Sequence, residues 1–330
     1  MTWQAVAHKD FQDAIRSRWL WGLSVLFVGL IGGVPALLYG YYAPEGASAS
    51  NLFGAAASMP LLGLSLSYSG VLAFVIAFIA LVTSHGSIID ERESGTLKLL
   101  LSLPHSRLDV VAGKFLGRSA VVALPVLAGF LVAVVALLAT STDVDLSTFL
   151  PQVLLTALVA VAFVSLGVGV SASARSNREA TVGIFGLYFL LAFLWSLVAR
   201  GFPALLDAVL RRVPGVDGLA NPTVVELRMV VKFLNPLRAY ETLVALLYAE
   251  STEVGRFLAL TTKAGRVEQR TLAQTFCPEG LAQSGGALCA NGLSPAYPFY
   301  FSEPFVFLVL LAWIAVPAAL GYLAFRDVDL

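Results

Sequence analysis

The sequence predicts an all-α polytopic membrane protein with six transmembrane helices. Of its 330 residues, 58% are hydrophobic and only 13% are charged, whereas soluble chains are about 45–50% apolar. The mean hydropathy of +0.82 points the same way. A helix needs about 20 mainly apolar residues to cross the hydrocarbon core. Six uncharged stretches qualify: Leu20–Tyr42, Leu64–Ser84, Ala120–Thr140, Phe149–Ser171, Ala180–Ala199 and Pro304–Phe325.

Residues 1–18 predict an amphipathic helix that lies in the cytosolic membrane interface. Its apolar face carries Trp3, Val6, Ala7, Phe11, Ala14 and Ile15, and its polar face carries Lys9, Asp10, Asp13 and Arg16. Such a division at helical spacing is typical of interfacial helices. The helix is either a topogenic anchor or an elbow that transmits motion to the bundle.

Short loops that contain lysine or arginine alternate with short loops that contain neither residue. The loops 43–63 and 141–148 contain neither residue, whereas basic residues precede the first span, separate spans two and three and spans four and five, and follow the sixth. Because basic loops stay in the cytosol, we expect a multi-pass cell-membrane protein with both termini cytosolic. Residues 19–200 then hold helices one to five, with a cytosolic loop at 85–118, and residues 304–330 hold helix six and a cytosolic tail.

Residues 201–303 form a large region that this topology places outside the cytosol. Two apolar patches within it, Ala204–Leu210 and Thr242–Ala249, are too short to cross and are expected to be interfacial or re-entrant helices. Cys277 and Cys289 also lie here, outside any CxxC or His-containing spacing. A disulfide between them is therefore favoured over a metal site.

Small residues within the spans predict close helix packing. Gly29 and Gly33 form a GxxxG in the first span, which indicates either packing within the chain or a dimer contact. Small residues also end the fourth span: Ser165, Gly167, Gly169 and Ser171. Pro125 and Pro317 fall inside the third and sixth spans and are expected to kink them.

One dense polar segment, DERESGTLKLLLSLPHSR from Asp90 to Arg107, separates the second and third spans. It opens with Glu91, Arg92 and Glu93, turns at Gly95 and continues as a short predicted helix, Thr96 to Leu103, that ends before Pro104. The leucines of this helix include Leu97, Leu100, Leu101 and Leu103. An apolar surface on a cytosolic loop indicates a protein partner or contact with the bilayer.

Several kinds of chemistry have no motif in this chain. No GxxxxGK phosphate-binding loop occurs, so we do not expect the chain to hydrolyse ATP itself. The three histidines, His8, His85 and His105, have no metal-ligand spacing. No ionisable residue lies within the spans, which argues against a proton-coupled carrier.

The layout resembles the membrane subunit of ATP-binding cassette transporters. The amphipathic amino terminus, six spans, the ERESGTLKLLLSLPHSR loop followed by Lys114-Phe115-Leu116-Gly117-Arg118, and the large outer region carry this resemblance. In pattern the chain is most similar to type-2 exporter permeases, among them the permease of the nitrous-oxide-reductase maturation system.

The resemblance implies a permease that pairs with a second copy and binds two cytosolic ATPase subunits, which would hold ATP and magnesium. It assigns the docking (coupling) loop to Glu91, Arg92, Glu93, Gly95, Thr96, Leu97, Leu100, Leu101 and Pro104. Lys98 stands where the family often has an acidic residue. No catalytic, cofactor or metal residue is implied in this chain, and the lipid bilayer and an extracytoplasmic partner are its other expected contacts.

Export is the expected activity, although the sequence does not encode the transported substrate. The alternative is a non-transporting membrane scaffold or mechanotransmitter whose outer region acts on an extracytoplasmic protein. ATP-dependent uptake into sealed vesicles would distinguish the two.

Overall fold

The structure, a computed structural model, describes residues 3–16, 18–37, 58–61, 64–97, 106–139, 144–215, 217–248 and 299–326. Cys277 and Cys289 lie outside these residues, so their pairing stays a prediction. All six predicted spans are confirmed as apolar helices of membrane-crossing length. They are Leu20–Leu37, Tyr68–Glu93, Arg107–Ala139, Leu146–Ser173, Asn177–Leu210 and Glu303–Arg326.

The elements follow one another along the chain. The amino-terminal half contains α1 (Trp3–Ile15), α2 (Arg18–Phe27) with a π-helical turn (Val28–Gly33), strands β1 (Ser58–Leu61) and β2 (Leu64–Ser67), α3 (Tyr68–Ser84), α4 (Ile89–Glu93) and α5 (Arg107–Ala139). The rest contains α6 (Leu146–Ser173), α7 (Asn177–Phe189), a π-helical turn (Leu190–Leu194), α8 (Trp195–Leu210), α9 (Asn221–Phe233), α10 (Pro236–Leu247), a 3₁₀ turn (Phe299–Phe301) and α11 (Glu303–Arg326).

The starts of the second and third helices differ from prediction. The second span was expected from Leu64, but Leu64–Ser67 pairs with Ser58–Leu61 as an antiparallel hairpin. The Leu-Ser-Leu-Ser alternation has the period of a strand, which outweighs its apolar content. The third helix begins at Arg107 rather than Ala120. Ser106 and Asp109 form a capping box there, since the Ser106 hydroxyl accepts from the Asp109 amide at 3.1 Å and the Asp109 carboxylate accepts from the Ser106 amide at 3.0 Å.

The chain divides into two compact units, Met1–Phe189 with Leu310–Leu330, and Leu190–Val309. In the first unit, α5 packs against α1, α2 with its π-helical turn, and α6, while α6 packs against α3. Close approach between α2 and α5 depends on Gly32 and Gly129. A Cβ on Gly129 would lie 2.8 Å from the Phe27 carbonyl oxygen, and one on Gly32 would lie 2.7 Å from Val132.

Packing within the chain through Gly29 and Gly33 is not observed. A Cβ on Gly29 would meet nothing within 4 Å, and one on Gly33 would come no closer than 3.9 Å to the Val28 carbonyl oxygen of its own turn. The π-helical turn Val28–Gly33 contains these residues, and its wider winding changes which glycine faces α5.

The small residues of α6 pack as predicted, on two faces. Gly167 meets Ser84 of α3, and the Ser171 hydroxyl accepts hydrogen bonds from the amides of Ile88 and Ile89. On the other face, Gly169 lies against Gly321 of α11, where a Cβ on Gly321 would fall 2.6 Å from the Gly169 Cα.

Ser165 belongs to this second face and forms hydrogen bonds with the backbone of α11 next to Pro317. Its hydroxyl donates to the Ile314 carbonyl at 2.6 Å and accepts from the Ala318 amide at 3.1 Å. These two groups would bond to each other in a regular helix. The serine therefore gives both groups a hydrogen-bond partner beside Pro317, which has no amide to donate.

Replacing Ser165 with alanine removes a hydrogen-bond partner from each of these two backbone groups. We expect the free energy of unfolding to fall by about 1–3 kcal/mol, measured as a lower midpoint in thermal unfolding of the purified protein. Ser173→Ala is the matched control, because Ser173 is exposed and its hydroxyl bonds only within its own helix, to Val170. Equal stability of the two variants would contradict this role of Ser165.

The opposite end of α6 begins at the N-cap Asp145. Its carboxylate accepts from the Ser147 amide at 2.9 Å and from the Ser147 hydroxyl at 2.7 Å. These hydrogen bonds hold the pKa of the Asp145 carboxyl below its usual value. The cap therefore remains ionised throughout the neutral range.

The second unit contains α8, α9 and α10. The Trp195 indole donates to the Val231 carbonyl at 2.9 Å, and Asn235, which is fully buried, caps α10 and donates to the Leu191 carbonyl at 2.7 Å. A buried cluster joins α9, α10 and the 3₁₀ turn: Met229, Phe233, Leu246 and Tyr300. The π-helical turn Leu190–Leu194 thus supplies the carbonyl that accepts a hydrogen bond from Asn235, which lies between α9 and α10.

The two short apolar patches predicted in the outer region are found in longer elements. Ala204–Leu210 is not a separate helix but the end of α8, whose α-helix continues through Pro203. Thr242–Ala249 overlaps α10, in which residues 242–246 are buried. Packing against α9 explains why a helix too short to cross a membrane is nevertheless apolar.

Candidate functional site

The polar segment that follows α3 begins with a short, well-anchored helix. After α3, a turn at 85–88 leads into α4, Ile89–Glu93. The chain then reverses at Gly95, whose φ of 75° is in the left-handed region that favours glycine. The Gly95 amide donates to the Arg92 carbonyl at 3.2 Å and closes this turn.

The charged residues of α4 bind other elements of the same chain. Arg92 donates to the Ala174 carbonyl at the end of α6 at 3.1 Å. Asn177, the first residue of α7, donates its backbone amide to Glu93 and its side-chain amide to Asp90, both at 2.7 Å. These contacts fasten α4 to the connection between α6 and α7.

Glu91 instead joins a network of charges that sequence reasoning missed. Its carboxylate lies 2.6 Å from the Lys114 ammonium of α5, which lies 3.1 Å from Asp10 of α1. Arg118 of α5 pairs with the other oxygen of Asp10 at 2.9 Å and donates to the Thr83 carbonyl at 3.0 Å. The part of the first unit that carries these four charges is called the charged end below.

Burial differs across this network. The side chains of Lys114 and Asp10 are only 7% and 5% exposed, whereas those of Glu91 and Arg118 are 21% and 29% exposed. Two carboxylates and two cations sum to zero charge, which makes burial tolerable. Removing one partner would leave an uncompensated charge in a largely dry site.

Helix α1 packs directly against Gly113 and Gly117 of α5, and this contact is called the α1 seat below. A Cβ on Gly113 would lie 2.8 Å from the Trp3 carbonyl oxygen and 2.6 Å from the Val6 Cβ. A Cβ on Gly117 would lie 3.0 Å from the Asp10 Cβ. Backbone contact of this kind leaves no space between the two helices, and it places Asp10 directly beside Lys114 and Arg118.

The amino-terminal helix is confirmed, but its predicted polar face is wrong at Asp10. Asp10 and Val6 are the buried residues of α1, whereas Trp3 and Ile15 of the predicted apolar face are 41% and 43% exposed. Asp10 is buried because its carboxylate pairs with Lys114 and Arg118 of α5. Glycine and a basic residue both recur at four-residue spacing here, in Gly113-Lys114 and Gly117-Arg118, and this was the available sequence signal.

The far end of the polar segment is also anchored. Arg107, the first residue of α5, donates to the carbonyls of Phe325 and Arg326 at 2.7 and 2.9 Å and lies over the Phe325 ring at 5.6 Å. A cation at the last carbonyls of a helix is favourable because of the helix dipole. The end of α11 is therefore fixed to the start of α5.

Besides Gly95 at the turn, the predicted docking residues divide into three groups. Glu91, Arg92 and Glu93 bind within the chain, as described above. Thr96 is exposed. Leu97 was predicted to lie on an exposed apolar face, but it is fully buried. Leu100, Leu101 and Pro104, together with most of the predicted helix Thr96 to Leu103, lie outside the described residues.

A cleft of about 340 Å³ borders the network between α1, α3 and α5. Its lining includes Asp10, Asp13, His85, Asp90 and Arg118. Water can therefore reach one side of the network, which agrees with the partial exposure of Arg118. Within the described residues, no group of three or more His, Cys, Asp or Glu is arranged to hold a metal ion.

Comparison with known proteins places this architecture in a family. The family model for ABC-2 family transporter proteins matches residues 4–330. The chain is 28% identical over 325 residues to the probable ABC transporter permease protein NosY of Stutzerimonas stutzeri, covering 97% of this chain and 96% of that protein. It is also 33% identical over 196 residues to the probable ABC transporter permease protein NosY of Pseudomonas aeruginosa, covering 58% and 67%.

The six helices are long and apolar enough to cross a membrane, which agrees with a family match over nearly the whole length. The chain belongs to the ABC-2 family of transporter proteins, as a membrane-spanning permease subunit.

Proposed function

We propose that this permease works as a dimer and exports its substrate with energy from separate cytosolic ABC ATPase subunits. ATP and magnesium bind to those subunits, which dock on residues 90–104. The charged end faces the cytosol in this proposal, since lysine and arginine concentrate on that side of the chain.

The way the polar segment is fastened at both ends carries this proposal. At its start, Glu91 binds α5, Arg92 binds the end of α6, and Asn177 of α7 binds back to α4. At its end, Arg107 binds the last carbonyls of α11. A segment attached to so many helices moves them when it is moved. This is the arrangement required of a docking site for an external source of energy.

Exposed groups beside the turn offer contacts for the partner. Ser94 and Thr96 are exposed on the segment. Arg175 is exposed on the adjoining connection between α6 and α7, and Arg178 is exposed at the start of α7. An ATPase with an acidic rim around its docking groove would complement these arginines. Closure of the ATPase subunits on ATP would then shift the charged end of each copy and open a path between the two copies.

Gly95 provides the first test of docking. Proline at this position cannot adopt φ near 75° and cannot donate to the Arg92 carbonyl, so Gly95→Pro should disrupt the turn that presents the segment. We expect the amount of ATPase that copurifies with the permease to fall at least tenfold. Permease yield and thermal unfolding are measured on the same preparations.

Gly95→Asn is the matched control, because asparagine tolerates the left-handed region and a Cβ here would meet nothing within 4 Å. Copurification should stay within about twofold of the native chain. Ser94→Trp adds bulk at an exposed position and leaves Gly95 in place, and it should also weaken binding. Full ATPase recovery with both Gly95→Pro and Ser94→Trp would refute docking at this segment.

A further inference from the structure

We infer that the Glu91–Lys114 ion pair is the main connection by which movement of the docked ATPase reaches α1 and α5. Lys114 is then a positioning residue for transport, and α1 moves during transport rather than acting as a membrane anchor. This inference rests on the proposed function, including docking at residues 90–104 and the presence of a second copy.

The charge network is the attachment of α4 to α5 and α1. Glu91 meets Lys114 at 2.6 Å, and Lys114 is almost fully buried, so separating them would strand a charge in a poorly hydrated site. Towards α6 and α7, α4 is held by other contacts: Ile89 packs in a buried cluster with Ala174 and Ala180, and its amide donates to the Ser171 hydroxyl at 3.1 Å. Movement of α4 should therefore reach α5 and α1 through Lys114, and α6 and α7 through these other contacts.

The charges beyond Lys114 extend the connection to two further elements. Lys114 also holds Asp10 of α1, and Asp10 in turn holds Arg118, which donates to the Thr83 carbonyl near the end of α3. Each member neutralises a neighbour on a different element. The four charges therefore favour joint movement of α1, α4, α5 and the end of α3.

The shape of the α1 seat removes the remaining freedom. Because Gly113 and Gly117 bring the backbones of α1 and α5 into contact, α1 cannot slide on α5 without steric overlap. The amide of Trp3 also donates to Asp109 near the start of α5, at 3.2 Å. A displacement received at Lys114 is thus delivered to the whole of α1.

Two spin-label reporters test this directly in the reconstituted complex of permease and ATPase. Gln12→Cys places a label on the exposed face of α1, and Arg178→Cys places one at the exposed start of α7, in a chain with Cys277 and Cys289 replaced by serine. Distances between the same label on the two copies are measured with and without a non-hydrolysable ATP analogue. With native Glu91 and Lys114, both distances should change on adding the nucleotide.

Glu91→Gln and Lys114→Met should reduce the change at Gln12→Cys at least twofold and leave the change at Arg178→Cys. Lys114→Arg should restore the change at Gln12→Cys, because it keeps the charge. A full change at Gln12→Cys in both Glu91→Gln and Lys114→Met would overturn the inference, as would equal losses at both reporters. Loss of ATPase copurification from the native chain would instead refute the proposed function. ATPase bound to each variant is therefore quantified in the same samples.

Discussion

Replacing Gly113 with alanine is expected to force α1 away from α5. The added Cβ would lie 2.6 Å from the Val6 Cβ and 2.8 Å from the backbone oxygen of Trp3, whereas carbon atoms pack at about 3.5–4.0 Å. A shift of roughly 1 Å is therefore needed, and it also strains the contacts of Asp10 with Lys114 and Arg118. Amide hydrogen exchange across residues 3–15 should accelerate at least tenfold, and thermal stability should fall.

Two other glycines provide controls for this substitution. A Cβ on Gly22 or on Gly186 would meet nothing within 4 Å, although both lie in membrane-spanning helices. Alanine favours a helix over glycine by about 1 kcal/mol, so Gly22→Ala and Gly186→Ala should be neutral or stabilising. Gly117→Ala should resemble Gly113→Ala, with a smaller effect because its contacts begin at 3.0 Å. Native exchange of α1 in Gly113→Ala would contradict the close seat.

The spans were predictable because membrane crossing imposes a length and a polarity that a single sequence displays. The small residues of α6 were predictable for a similar reason, since Ser165 and Gly167 have no use in lipid other than close packing. Local geometry limited the accuracy elsewhere. The π-helical turn Val28–Gly33 replaces Gly29 with Gly32 at the contact with α5, and hydropathy carries no signal for such a turn.

The site was harder to predict than the fold because its partners are distant in the sequence. Asp10 and Lys114 are separated by 104 positions, and each alone is typical of a solvated surface residue. The predicted third span also begins only at Ala120, so Gly113, Lys114 and Gly117 fall in a predicted loop and share no helix face. Only the helix from Arg107 aligns them.

The Glu91-Arg92-Glu93 motif shows how a correct location can receive an incomplete explanation. Its charge density marks an important segment, and the sequence alone suggested that these charges serve an external protein. In the structure they bind Lys114, Ala174 and Asn177. Charge reversal at Glu91 would consequently disturb the permease itself, which is why the docking experiment uses Gly95 and Ser94.

Asp10→Asn and Lys114→Met should each destabilise the first unit strongly, and much less than additively when combined. Asp10→Asn leaves Lys114 and Arg118 facing Glu91 alone, an excess of one positive charge, and Lys114→Met leaves an excess of one negative charge. Breaking a buried pair costs about 3–5 kcal/mol, and the cleft beside the partly exposed Arg118 should bring the cost towards the lower value. Together the substitutions leave one carboxylate and one guanidinium, so the net charge returns to zero.

Thermal unfolding of the four proteins in this double-mutant cycle measures the coupling. We expect the double variant to be at least about 1 kcal/mol more stable than the sum of the single effects, as is typical of residues in one network. Asp13→Asn is the control, because Asp13 lies on the same helix but is exposed, and it should change stability by no more than about 0.5 kcal/mol. Strict additivity would mean that Asp10 and Lys114 act independently, and α1 would then be held by its fit to Gly113 and Gly117 rather than by charge.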